Sequence, residues 1–399
     1  MGSLKHPEEK CFLTPERRFI NVMPRVGFAA NTLRKRRFIM RKRWISVGIA
    51  FLLITFLGAT PPAGGVDFSG KTIKWIIPFK VGGGSDVWAR LYAPFFHKYL
   101  PGNPTVAVQN MPGGGSITGG NYFHTRVKAD GLTVFGSSGS TSFPYLLGDT
   151  AVKYDFAKYH IVFASPTGGV AYIKPDFGVK SVKDLKGFKE KLAYASQGAT
   201  SLDLIPALSF EMLGLDVKVI FGYKGRGAGR VAFEQGETNI DYQTTTAFIK
   251  NVRPLIKQGL AVPLMSWGIL DDKGNVVRDP VEPEFPSFPE AYEMVYGKKP
   301  SGPAWSAWKA FFVAGFGVQK AMWLPEKTSP EIVEAYRSAT AKIVADPDFK
   351  KVNEKSLGGY PQLVGKGARE AFNDVLSVPP ESKKWVLNWL KERYDVTVK

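Results

Sequence analysis

From Thr72 the chain alternates short apolar runs with longer amphipathic stretches, three times in succession. "TIKWIIPF" (72–79) reads as a strand, "KVGGGS" (80–85) as a loop and "DVWARLYAPFFHKYL" (86–100) as a helix. In that helix Val87, Leu91 and Phe95 recur at four-residue spacing, with Trp88, Tyr92 and Phe96 beside them. "TVAVQN", "MPGGGS" and "ITGGNYFHTRV" repeat the order of strand, loop and helix, and "LTVFG" followed by "SSGSTSFPYLL" begins it again. Strands that alternate with helices predict parallel βαβ units, whose ligands sit beyond the strand C-termini. All three polar Gly/Ser loops fall at such ends.

A second α/β set follows. "AYIKP" and "KLAYASQ" read as strands, with a helix N-terminus at Ser181 between them. "GATSLDLIPALSFEMLG" reads as a helix closed by Gly214, and "VKVIFGYKGRGAGRVAFEQG" again gives strand, glycine-rich loop and helix. "TNIDYQ" and "LAVPLMSW" precede a long Pro/Gly-rich connection, Asp271 to Pro303. The chain then ends in amphipathic helices, among them "SPEIVEAYRSATAKIVA", with Ser329 as N-cap and Pro330 in the first helical position. The pattern predicts an α/β protein of two lobes with a cleft between them. Residues 66–164 open lobe 1, 165–265 form lobe 2, and 266–399 complete lobe 1 and add the C-terminal helices.

Charge changes the picture only after it is located. Of the formal +18, half lies in residues 1–63, which hold 12 Lys/Arg against 3 Asp/Glu. The remainder has no basic block, so the balance speaks for anionic small ligands or a solvated surface and not for nucleic acid. "MRKRWISVGIAFLLITFLGA" (40–59) has a basic start, a 14-residue apolar stretch from Trp44 to Leu57 and small residues after it, the layout of a secretory signal peptide. That stretch is short of the roughly 20 residues a spanning helix needs. Met40 opens the layout, so residues 1–39 read as an upstream extension. The only cysteine, Cys11, precedes the signal, so the exported chain is expected to carry no disulfide or thiolate metal site.

Motifs for catalysis are weak. "GVDFSGKT" (65–72) fits the phosphate-loop spacing, but a strand follows it where a helix is required. "GGGSDV" and "GRGAGR" place Val87 and Arg230 where a dinucleotide fingerprint needs its last glycine. No G-x-S-x-G elbow occurs, and His97, His124 and His160 lack metal-ligand spacing. What remains is anion binding by backbone: glycines at helix N-termini expose N–H groups beside a partial positive charge. A carboxylate fits there without Arg or Lys. Phe143, Tyr145, Tyr223 and Tyr242 either pack in the core or stack on a ring of the ligand.

Taken in order, "IPFKVGGGSDVWAR", "VQNMPGGGSITGG", "ADGLTVFGSS", "SVKDLKG", "YASQGATS", "FGYKGRGAGRVAFEQGETNID", "PSFPEAYE" and "LPEKTSPEIVEAYRSATAKIVADPDFKK" resemble the exported solute-binding component of tripartite tricarboxylate transporters, the Bug-type receptors. The resemblance spans about Lys71 to Leu376. It implies a two-lobed periplasmic binding fold (type II-like) that closes around a carboxylate-bearing solute. It also implies that Gly82, Gly83, Gly84 and Ser85, with Asn110, Pro112, Gly113 and Gly114, hold one end of the ligand. Ser137 and Ser138 on the third loop join them. The other lobe would offer Ser196, Gly198, Thr200, Ser201 and Tyr223. Asp86 is expected to support by capping the helix, since a carboxylate would repel the ligand, and Asp241 likewise supports. This chain has Ser85 where the family commonly has threonine, and Ala199 where it usually has glycine. Its second loop departs as well, and these changes bear on which acid is bound.

The implied partners are a small organic carboxylate, di- or tricarboxylate or aromatic, and a two-component membrane permease. No cofactor, catalytic residue, metal or nucleic acid is called for, the location is the periplasm, and a monomer is expected. Two other readings stay open on the sequence: a secreted α/β enzyme acting on an anionic substrate, and a solute-sensing partner of a receptor kinase.

Overall fold

The computed structural model describes residues 65–271 and 274–399. The basic and apolar segment at 40–59 and Cys11 lie outside them. Thirteen strands are described: β1 (Thr72–Ile77), β2 (Thr105–Asn110), β3 (Thr133–Ser138), β4 (His160–Ser165), β5 (Gly169–Ile173), β6 (Leu192–Ala195), β7 (Val217–Ile220), β8 (Ile240–Thr244), β9 (Val262–Ser266), β10 (Ile269–Leu270), β11 (Val276–Val277), β12 (Lys320–Leu324) and β13 (Leu363–Val364). Six form one sheet in the order β13-β4-β12-β3-β1-β2, three form a second in the order β8-β5-β9, and β6 pairs with β7. The chain leaves the six-stranded sheet through residues 166–168, between β4 and β5, and regains it at β12.

The first three units form as the pattern predicts. β1 runs parallel to β2 and β3, with helices α1 (Gly84–Tyr99) and α2 (Ile117–Arg126) after β1 and β2, and α3 (Gly139–Leu147) after β3. The buried stripe of α1 is Trp88, Tyr92 and Phe96, while Val87, Leu91 and Phe95 are half-buried at its flank. Trp75 of β1 meets Trp88 and Phe96 edge-on at centroid distances of 5.0 and 5.7 Å, a geometry worth roughly 0.5–1.5 kcal/mol per pair beyond burial.

β6 and β7 also pair in parallel, but the strands that β5 and β12 join do not. β5 lies antiparallel to both β8 and β9, and β12 lies antiparallel to β3 and β4. β5 follows β4 after three residues with no crossover helix, and β12 enters the first sheet on the return path. β4 and β12, which the sequence pattern does not pick out, are almost wholly buried and so show no polar alternation.

The Pro/Gly-rich connection also contains a helix, Phe288–Tyr296, opened by a reciprocal Ser287–Glu290 capping box. Ser329 caps Pro330–Ala345 as expected, its hydroxyl accepting from the Ile332 N–H. Gly214 takes φ +69° directly after helix α4 (Leu204–Met212) and its cap residue Leu213. α4 is buried on nearly every side, and Trp308 of the helix Gly302–Phe312 donates to its Ser209 at 2.7 Å. One apolar core therefore runs without a break from residues around the first sheet to residues around the second.

Candidate functional site

A cavity of about 780 Å³ opens where the loops after β1 and β3 face the loops after β6, β7 and β8. Gly82 takes φ +80°, a left-handed conformation that favours glycine, and turns the chain into α1. Its N–H donates to Asp86 at 2.9 Å. Asp86 also accepts from Arg90 at 2.9 Å. Burial works against its charge, but the bonds from Arg90 and Gly82 prevail and hold its carboxyl below the usual range. Asp86 thus stands in the first turn and ties down the loop, while Gly83 is the N-cap. The amides of Gly84, Ser85 and Asp86 occupy the first turn, where α-helical geometry provides no acceptor. A Cβ on Gly84 would meet nothing within 4 Å, so the wall there is bare backbone.

Of the residues singled out from the sequence, Gly82, Gly83, Gly84, Ser85, Ser138 and Tyr223 line this cavity. Asn110, Pro112, Gly113 and Gly114 do not. β2 is the edge strand, and its loop is displaced outward, with Pro112, Gly113 and Gly114 exposed. Asn110 instead braces the first loop, donating to the Phe79 carbonyl at 2.9 Å. Ser137 accepts from Trp323 at 2.7 Å and faces the core. Ser196, Gly198, Thr200 and Ser201 form a turn closed on itself, with Ser201 donating to the Gly198 carbonyl at 2.7 Å, and Gln197 and Leu202 of that loop reach the cavity instead. Asp241 lies behind the wall. Among the aromatic candidates, Phe143 and Tyr242 are core residues and Tyr145 bonds to Asp155; Tyr223 lines the cavity beside Phe79 and Phe221.

The sequence reading missed the charge. Six lining side chains are basic, Lys80, Lys224, Arg226, Arg230, Lys250 and Lys320, and no lining residue is acidic. The cavity that the first glycine loop lines therefore also offers Arg and Lys, which the glycine loops alone do not announce. Arg226 opens helix α5 (Arg226–Glu234) and turns its guanidinium inward. It pairs with Asp203 at 3.3 Å and with Asp241, and donates to the Ala195 carbonyl at 2.7 Å and the Tyr242 carbonyl at 3.0 Å. Its guanidinium carbon sits 4.5 Å from the centre of the Tyr242 ring. Burial pushes the Asp241 carboxyl up, against the pull of Arg226 and bonds from Tyr172 and Gln243. The clue visible in the sequence is "GRGAGR", whose arginines stand beside its glycines.

Lys320 is the first residue of β12, opposite Ser138 of β3 and Ser165 of β4. It is 6% exposed, and its ammonium donates to the neutral amide oxygen of Gln319. Burial pushes it down to about 8 from 10.5. The unfolded lysine keeps its proton to about pH 10.4. Between these limits the unfolded chain holds more protons, so stability of the ligand-free protein should rise with pH from about 8 towards 10. The slope is at most about 1.4 kcal/mol per pH unit. Denaturant midpoints measured from pH 7 to 9.5 should climb in the wild type relative to Lys320→Met. Parallel curves would show that Lys320 is not a desolvated ammonium.

No protein-family model matches the chain. It is 24% identical over 334 residues to the UPF0065 protein in the tcbD-tcbE intergenic region of Pseudomonas sp. strain P51, covering 81% of this chain and 89% of that protein. The solved periplasmic binding protein BugD superposes with a TM-score of 0.58 at 20% identity, over 81% of this chain and 98% of BugD. R. palustris Rpa4515, solved with adipate, gives 0.60 at 18% identity over 81% and 98%. The fold is thus the two-lobed α/β fold of periplasmic binding proteins. Among the described residues no helix is long and apolar enough to cross a membrane, and no group of three or more His, Cys, Asp or Glu is placed to hold a metal ion.

Proposed function

We propose that this protein is an extracytoplasmic solute-binding protein that captures an organic carboxylate in the periplasm and delivers it to a two-component membrane permease of the tripartite tricarboxylate type. The observation that carries this reading is the cavity wall, where the bare first turn of a 16-residue helix joins six basic side chains and no acidic one. Helix N-termini and cations both stabilise carboxylates, and charge-assisted hydrogen bonds contribute about 1.5–3 kcal/mol each. The adipate held by the structurally similar Rpa4515 supports the same chemistry. In this reading residues 66–164 and 266–399 form one lobe and 165–265 the other, the protein acts as a monomer, and the basic–apolar segment at 40–59 directs export.

Thermal-shift measurements on the purified protein with succinate, adipate, citrate and benzoate test the reading. An acid present at about 100 times its dissociation constant should stabilise the fold by about 2.7 kcal/mol. The absence of a shift with all four acids would refute carboxylate capture.

A further inference from the structure

Lys320 stands apart from the other cations of the cavity. Arg226 is neutralised by Asp203 and Asp241, and Arg230 by Glu234. Lys80, Lys224 and Lys250 are exposed, and water solvates them. Lys320 has neither arrangement: it is buried, no carboxylate among the described residues lies within 4 Å of its ammonium, and its one hydrogen-bond partner is an uncharged amide. A buried charge without a counter-ion is costly to the folded state, and a neutral amide offsets only part of that cost. The β-ladder fixes the Lys320 backbone, since β12 is held between β3 and β4 at this residue. Lys320 is also part of the cavity lining, as is Ser138 opposite it. A solute in the cavity therefore lies against Lys320.

We infer that Lys320 is the residue that selects for charge in this cavity: it forms an ion pair with an anionic group of the solute, and that group supplies the counter-ion which the protein itself lacks. The inference rests on the reading of the cavity as a carboxylate site and adds to it a named specificity determinant. A backbone site at a helix N-terminus accepts neutral hydrogen-bond acceptors as well as anions. An ion pair formed out of water does not, because pairing a neutral group with the ammonium leaves the charge uncompensated. The cavity should accordingly reject the primary amide of an acid that it binds.

The test uses Lys320→Met and Lys320→Gln in the intact protein. Calorimetric titration is run with succinate, adipate, citrate and benzoate, and with the amide of the tightest binder. Both variants should lose about 10- to 100-fold in affinity for that acid, the range of one charge-assisted hydrogen bond. Both should at the same time unfold at the same or a higher denaturant concentration than the ligand-free wild type, which a merely structural lysine would not allow. The wild type should bind the acid at least tenfold more tightly than its amide, and the variants should narrow that gap. Lys320→Gln keeps a polar partner for Gln319, so it provides the comparison if the methionine variant does not fold. Affinity in either folded variant within threefold of wild type overturns the inference and leaves carboxylate capture standing. A wild type that binds none of the four acids overturns both.

Discussion

Replacing Arg226 by methionine should destabilise the protein by about 3–5 kcal/mol, the cost of leaving buried charges unpaired. Asp203 and Asp241 are both buried, and Arg226 is the one cation that pairs with either among the described residues. Its removal leaves two carboxylates in the interior, with the Ala195 and Tyr242 carbonyls losing a donor as well. Tyr172, Tyr242 and Gln243 would still donate to the carboxylates, so the fold should loosen first around α5 and β8. The variant should also release more protons on unfolding than wild type near pH 5, because burial without Arg226 raises the carboxyl range of Asp241 further. Urea titrations at pH 7 and pH 5 check both points: the deficit should shrink at the lower pH. A loss under 1 kcal/mol at pH 7 would mean that the cluster is solvated and not a buried ionic network.

Gly168→Ala should cost on the order of 2–4 kcal/mol by overpacking a polar cluster. Gly168 lies where the chain passes from the first sheet to the second. A Cβ there would lie 1.9 Å from Asp279 Oδ2, 2.8 Å from the Tyr360 hydroxyl and 2.9 Å from Thr245 Oγ1. These three groups form a buried network in which Tyr360 donates to Asp279 at 2.6 Å and engages Thr245 at 2.9 Å. Burial pushes the Asp279 carboxyl up, and the bonds from Tyr360, the Val281 N–H and Thr245 oppose this. One methyl group therefore either displaces the carboxylate from its donors or moves the crossing segment. Tyr360→Phe, which removes one donor without adding volume, should cost less, about 1–3 kcal/mol. Equal losses in the two variants would show that the hydrogen bond, and not the lack of space, decides.

How far the sequence could be read depended on whether a residue's role was local. Gly82 announces a turn because its backbone conformation excludes most side chains, and Ser329–Pro330 announces a helix start through its own capping chemistry. The strand, glycine loop and helix order of the first lobe was legible for that reason. β4 and β12 were not, because strands buried on both faces show no alternation. The loop at 111–116 carries the same Gly-Gly-Gly-Ser run as the loop at 80–85. Its distance from the cavity follows from the edge position of β2, which strand order alone decides. Lys320 was the least legible. Its burial is created by β3 and β4, more than 150 residues upstream, so "GVQKAMW" gives no local sign that this lysine differs from a surface one. Arg226 was obscured in a similar way, since Asp203 and Asp241 reach it only through the fold.

A binding protein of this kind carries its acid in the cavity and leaves it unchanged. Titration calorimetry of the purified protein with adipate, succinate, citrate and benzoate, followed by recovery and mass analysis of the acid, tests it most directly. At least one of these acids should bind saturably at one molecule per chain and be recovered intact after prolonged incubation. Failure of all four to bind, or recovery of a bound acid as a different molecule, would contradict it.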